Sequence, residues 1–352
     1  MQFIPELMRF ENGSIVDTPQ KMRERREEIL RIFQNNAYGD MPSPVPVSGE
    51  IVEETNRCCS GNAVYYKIII HCQFENSVFS FPVQLTVPIK EGKKPLIVAV
   101  NFSDQLPHEY IPVEEIIDNG FALAVVYYND ITNDSSDFSD KIAAFIPRTS
   151  SGHDAGKISM WAWSVSRALD YFLTRNDISE DRIAVIGHSR LGKTALWCAA
   201  NDTRVRYVCS NNSGCMGAAY SRTWREGAES VSRIYGTFPY WFCENMKQYA
   251  ENKAPMPFDQ HMLIGAIAPR YVLVNSAGKD DWADPASEQN SCVGASPAWQ
   301  VYGKKGYAGK EETYEIDAGD LNGDIGYYKR FGVHFLGRKD WLNFMSFIKN
   351  HY

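Results

Sequence analysis

One serine sits where a strand gives way to a helix. Residues 183–187 are apolar, mostly β-branched, and end at Gly187; His188, Ser189 and Arg190 form a polar turn; residues 191–200 are rich in alanine and leucine. Such a turn lifts a hydroxyl above a sheet, and the N-terminus of the following helix turns free N–H groups and a positive dipole end toward developing negative charge. That suits nucleophilic attack by Ser189 on a carbonyl carbon. It needs a base to take the hydroxyl proton and an acid to orient that base. The pattern departs from G-x-S-x-G, because Leu191 stands where the second glycine would be and Gly192 follows one place later.

Where this chemistry is built on alternating strands and helices, the acid follows a late strand and the histidine precedes the last helix. After the apolar run 271–275, the stretch 276–285 holds Asp280, Asp281 and Asp284. Ahead of the helical run 341–348, the loop 326–334 ends in His334. His334 is the expected base, and an aspartate from 280–284 the expected acid. Asp284, just before Pro285, also suits a turn cap. His188 adjoins the serine but is expected to point away from it. His261 is expected to satisfy a buried backbone group, and His71, His108, His153 and His351 lie on strand, loop or terminus. No histidine pair has zinc-site spacing on one helix, so no metal is expected.

The elements that must position these groups follow from periodicity. Residues 19–35 read as a charged amphipathic helix, with Thr18 as cap and Pro19 in the first turn. A proline-rich stretch, 41–46, leads to three partly alternating segments, 49–55, 63–72 and 77–88, as antiparallel strands would give. The rhythm then changes. Short continuous apolar runs at 96–100, 121–127, 183–186, 207–210 and 271–275 are separated by helical stretches at 113–119, 159–173 and 191–200. Such runs belong to buried parallel strands. The expected fold is α/β, of the α/β-hydrolase type: a mostly parallel central sheet with antiparallel N-terminal strands and helices on both faces. One domain over 1–352 is expected, with an N-terminal helical wrap at 1–48 and loop insertions at 129–157 and 285–325.

The chain has 352 residues and a formal charge of -7, which argues against nucleic acid or an anionic membrane as partner. Aromatic residues make up 13%, enough to leave some for a sugar-binding cleft once the core is filled. The 8 cysteines show no metal-like pairing; Cys198 and Cys209 fall in apolar runs and read as buried thiols of a reducing compartment. Residues 1–7 show no basic leader and no long apolar run, so a cytoplasmic location is expected, or a secreted one if a leader has been removed. A monomer is expected.

Together these residues resemble the glucuronoyl esterases of carbohydrate esterase family 15, in particular the bacterial members. The likeness rests on Tyr38-Gly39, Asn101-Phe102, Trp161-Ala162-Trp163, the stretch 187–193 around the serine, 211–215, 238–242, 266–270 and Asp280-x-Trp282-Ala283-Asp284-Pro285. It implies Ser189 as nucleophile, His334 as base and Arg190 as an oxyanion partner. Lys193 would hydrogen-bond sugar hydroxyls, Trp282 would contact the sugar ring, and Glu229 falls near a polar sugar-binding position. Many members carry the acid as glutamate in a Glu-Ser-Gly sequence, where this chain has Asn212; a bacterial subset has an aspartate two residues before the tryptophan, which here is Asp280. The implied activity is hydrolysis of glucuronate esters, from small molecules or oligosaccharides, without a cofactor. The rival expectations are another carbohydrate esterase, such as one removing acetyl groups from xylan, and a carbohydrate-binding pseudoenzyme motivated by Asn212.

Overall fold

The computed structural model describes residues 4–149, 151–222 and 225–352; residues 1–3 of the expected wrap and residue 150 of the first insertion lie outside them. Three long strands come first, β1 (Val47–Cys58), β2 (Ala63–Gln73) and β3 (Val78–Pro88), paired antiparallel. Then β4 (Lys94–Asn101), β5 (Ala122–Tyr127), β6 (Ile178–His188), β7 (Tyr207–Asn211), β8 (Tyr271–Ala277) and β10 (Ile325–Arg330) run parallel, in the spatial order β5-β4-β6-β7-β8-β10. A short edge strand, β9 (Ala318–Asp320), pairs antiparallel with β10. Apart from β10, the parallel strands are the expected apolar runs, and every residue of β4 and β7 is buried. Their side chains feed two cores, one on each face of the sheet. Helices cover both faces because neither face of such a sheet can be left to water.

The helices that matter here are α1 (Pro19–Phe33), α2 (Val113–Asp118), α3 (Lys157–Phe172), α4 (Arg190–Asn201), α5 (Val231–Thr237), α6 (Gln260–Gly265), α7 (Pro285–Ala295) and α8 (Arg338–Asn350). Thr18 caps α1 by accepting from the Lys21 N–H, and Pro19 opens it, as the sequence predicts. Its buried side chains include Met22, Ile29, Leu30 and Phe33, spaced for one helix face. Phe33 packs 4.7 Å from Phe258, and Tyr38, just after the helix, sits 4.9 Å from Trp197 on α4. The N-terminal wrap thus backs the helix that follows the serine. On the other side, Trp197 Nε1 donates to Ser159 Oγ of α3 at 2.8 Å.

Two segments differ from expectation. The stretch 285–325, read as a loop insertion, opens with α7, because Asp284 caps it by accepting from Ser287 N and Pro285 begins it. The stretch 326–334, read as loop, begins as β10, where Gly326, two tyrosines, Lys329 and Arg330 hide the apolar signal; Tyr327 is nonetheless fully buried. The described residues of the 129–157 segment are mostly irregular. A buried Lys157 organises it, donating to Thr132 Oγ1 at 2.6 Å and the Asp137 carbonyl at 2.5 Å. Among the described residues no helix is long and apolar enough to cross a membrane.

Candidate active site

Ser189 stands between β6 and α4 with φ 57° and ψ -126°, a backbone state that costs a non-glycine residue about 1–3 kcal/mol. Its neighbours hold it there. The Ser189 N–H donates to the Asn211 carbonyl at 2.9 Å, and its own carbonyl accepts from Gly192 N at 2.9 Å. The turn is tight enough that a Cβ on Gly187 would lie 2.0 Å from the Leu191 carbonyl oxygen. At Gly192 a Cβ would come 3.0 Å from Ser210 Oγ and Ser213 Cβ. The displaced glycine therefore has a physical reason: in this elbow the helix meets the β7 loop at position 192, and Leu191 points into the core, fully buried.

His334 lies in the turn between β10 and α8. Its Nδ1 is 2.6 Å from Asp280 Oδ2. Asp280 is buried and follows β8; burial works against its charge, but the hydrogen bonds from His334 and Asn212 outweigh it and hold the carboxyl below its usual value. Of its competitors, Asp281 is exposed at the head of a short turn, and Asp284 is occupied in capping α7. With Nδ1 facing the carboxylate, Nε2 is the nitrogen left to exchange protons. Asn212, the residue that replaces glutamate, does not leave an empty slot. Its Nδ2 donates to the same Asp280 Oδ2 at 2.6 Å.

His188 does not stay apart from the site. Its ring lies against His334, centroids 4.5 Å apart, and Nδ1 meets Asn211 Oδ1 at 2.7 Å. Burial, helped by the charge of His334, pushes its pKa down to about 3, so it is a neutral platform under the His334 ring. His261 bonds the Pro5 carbonyl at 3.0 Å, as the sequence suggested.

Arg190 begins α4. Its guanidinium pairs with Asp134 from the 129–157 segment and sits over Trp241, Phe102 and Tyr128 at 5.1, 5.3 and 5.8 Å from their ring centres. The other Asp134 oxygen accepts from Trp241 Nε1 at 2.6 Å. Burial lowers the Arg190 pKa, yet a guanidinium remains charged at any working pH.

Lys193, Glu229 and Trp282 form a second group. Lys193 is buried, not exposed on its helix, and donates to the Ser213 carbonyl. Burial lowers its pKa, and the Glu229 carboxylate opposes that shift. Burial likewise raises Glu229, against the pull of Lys193 and, more weakly, of His334. The Glu229 N–H donates to the Trp282 carbonyl at 3.0 Å. Trp282 is 40% exposed, and the Arg233 guanidinium of α5 lies 4.6 Å from its ring centre. Sequence reasoning missed Asp134 and Trp241, since neither sits near Ser189 in the chain. It also mistook Asn212 for a loss.

With this geometry in view, comparison with known proteins is specific. The family model for fungal glucuronyl esterase matches residues 70–303. A carbohydrate esterase, MZ0003, from an unknown prokaryotic organism is 40% identical over 248 residues, covering 68% of this chain and 55% of that protein. The 4-O-methyl-glucuronoyl methylesterase of Hypocrea jecorina is 28% identical over 310 residues, 85% of this chain and 62% of that one, so the chain spans little more than half the length of these two relatives. Among solved structures, a glucuronoyl esterase from Solibacter usitatus has a TM-score of 0.92 at 29% identity, covering 100% of this chain and 98% of that one. A promiscuous esterase of carbohydrate esterase family 15 from a marine bacterial metagenome has a TM-score of 0.90 at 30% identity, with the same coverage. The α/β-hydrolase fold and the serine elbow are thus accompanied by likeness along most of the sequence, and the chain belongs to the glucuronoyl esterase family, carbohydrate esterase family 15.

Proposed function

We propose that the protein is a serine carboxylesterase that cleaves esters of glucuronic or 4-O-methyl-glucuronic acid at the C6 carbonyl. Ser189 Oγ attacks the carbonyl carbon as its proton passes to His334 Nε2. The Arg190 guanidinium and backbone N–H groups at the elbow hold the oxyanion. The alcohol leaves with the proton from His334, and a glucuronoyl ester on Ser189 remains. Water, deprotonated by the same nitrogen, releases the uronate and restores the serine. Asp280 keeps its charge throughout and steadies the imidazolium. Lys193, Glu229 and Trp282 hold the sugar. No step calls for a metal or organic cofactor.

The observation that carries this reading is the 2.6 Å contact between His334 Nδ1 and buried Asp280, with the His334 ring against His188, the residue next to a serine held at φ 57°. Asn212 favours an active enzyme over a binding-only protein, because it supports the acid rather than vacating its place. The test compares benzyl glucuronate with an acetylated xylo-oligosaccharide, each with the wild type and Ser189→Ala. Cleavage of the glucuronate, abolished by the substitution, is expected; cleavage of the acetyl ester alone would assign a different esterase.

A further inference from the structure

Glu288 of α7 is fully buried, 0% exposed, and takes no part in the mechanism above. It lies between the ends of two strands. One carboxyl oxygen accepts from Gly214 N at 2.9 Å and from Ser213 Oγ at 3.4 Å, on the loop after β7. The other meets Ser276 Oγ, at the end of β8. That loop is the one that places Asn212. Asn212 is held at φ 47° and Gly214 at φ 57°, and Lys193 pulls on the Ser213 carbonyl from the opposite side. Asn212 in turn donates to Asp280.

We propose that Glu288 is a positioning residue for the Asp280–His334 pair, acting through Ser213, Gly214 and Asn212. Its contacts suit the carboxyl in either form, because the Ser276 hydroxyl can donate to a carboxylate or accept from a protonated acid. One oxygen serves two donors, and the other faces a hydroxyl that can accept a proton. Burial raises its pKa to about 7 and the Asp280 carboxylate adds to this, while the hydrogen bonds from Ser276 and Gly214 and, more weakly, Lys193 oppose it. The other titratable groups that feel its charge are Cys292 on its own helix and Tyr327 on β10, both pushed up by burial. Two carboxyls thus share one buried region with opposed shifts: Asp280 is charged beside the histidine, and Glu288 changes charge near neutral pH beside the loop. Above neutral pH an ionised Glu288 would repel Asp280 and loosen the loop between them.

An amide reproduces the same pattern, one acceptor and one donor, without the titration. The experiment measures kcat and KM for benzyl glucuronate from pH 5 to 9, about two pH units either side of neutrality, with wild type, Glu288→Gln and Glu288→Leu, and checks folding by thermal melting. The proposal rests on the reading of Asp280 and His334 above, so Asp280→Asn is run alongside. Glu288→Gln is expected to match the wild type near pH 6 and to keep its rate on the alkaline side, where the wild type declines. Glu288→Leu is expected to lose roughly tenfold or more in kcat with KM little changed. Superimposable pH profiles for wild type and Glu288→Gln, or a folded Glu288→Gln that is inactive, would overturn the proposal. An Asp280→Asn enzyme with full activity would instead overturn the reading on which it rests.

Discussion

Asp280 Oδ2 accepts two hydrogen bonds of 2.6 Å, one from His334 Nδ1 and one from Asn212 Nδ2. The amide does for this carboxylate what a neighbouring donor does in any catalytic dyad: it fixes which oxygen faces the histidine and stabilises its charge. Removing it with Asn212→Ala is expected to cost about 1.5–3 kcal/mol, the value of a hydrogen bond to a charged group. That corresponds to a kcat lower by roughly ten- to a hundredfold. Steady-state kinetics on benzyl glucuronate would show it, and an unchanged kcat would mean that Asn212 only fills space.

Arg190 is held as well as charged. Asp134 and the three rings fix its direction, so lysine is no substitute, lacking the planar fork that can face both Asp134 and an oxyanion. Arg190→Lys is expected to lower kcat by about 10²–10³ with a small change in KM, the scale for one oxyanion donor. Asp134→Asn should lower kcat less. Equal losses in kcat and in the affinity for a bound uronate would place Arg190 in ground-state binding instead.

The elbow tolerates no side chain at position 187. A methyl group 2.0 Å from the Leu191 carbonyl oxygen must displace α4 or β6. Gly187→Ala is expected to lower the melting temperature by several degrees or more, in line with overpacking costs of about 1–3 kcal/mol. Calorimetry would decide; an unaltered melt would show that the turn has more room than its backbone suggests.

His188 gives the fold an acid-side weakness. Its folded pKa, about 3, lies below histidine's ordinary value of 6.5, so the unfolded chain binds more protons between those values and stability falls as pH drops. His261, lowered to about 4, acts in the same direction. Glu288 acts in the opposite one: its raised pKa favours the folded state toward the acid side, and stability is lost as pH rises from 4.5 to about 7. His188→Phe keeps a ring under His334 and removes the titration. Its melting temperature should fall less than that of the wild type between pH 6.5, the ordinary pKa of histidine, and about pH 4. Parallel curves would contradict this.

Trp282, two residues after Asp280, leaves its ring 40% exposed, and one aromatic contact is worth about 0.5–1.5 kcal/mol. Trp282→Ala should therefore raise KM by roughly two- to tenfold and leave kcat nearly unchanged. A fall in kcat alone would argue that the ring supports the Asp280 loop rather than the sugar.

The fold was legible because its signals are local. Continuous apolar runs marked the buried strands, Thr18-Pro19 marked the start of α1, and the glycine-serine turn marked the elbow. β10 escaped because tyrosines, lysine and arginine carry its burial through their stems and rings rather than through an apolar run. Chain order pointed to Ser189, His334 and 280–284, and the structure has a tight turn at Ser189 and a contact between His334 and Asp280. It was not readable where a contact joins distant residues. Arg190 meets Asp134 across 56 residues, and Glu288 meets Gly214 across 74, with nothing in either sequence neighbourhood to announce the pairing. Asn212 was misjudged for a related reason: residue type shows that it cannot be the acid, but only its contact with Asp280 shows what it does instead.

The central claim is that Ser189 carries the uronate as an ester during turnover. Benzyl glucuronate mixed with enzyme and quenched in acid during turnover, followed by peptide mapping by mass spectrometry, tests it directly. A glucuronoyl adduct on the peptide containing Ser189, absent from Ser189→Ala, is the predicted result. Hydrolysis that continues in Ser189→Ala with no adduct would contradict it.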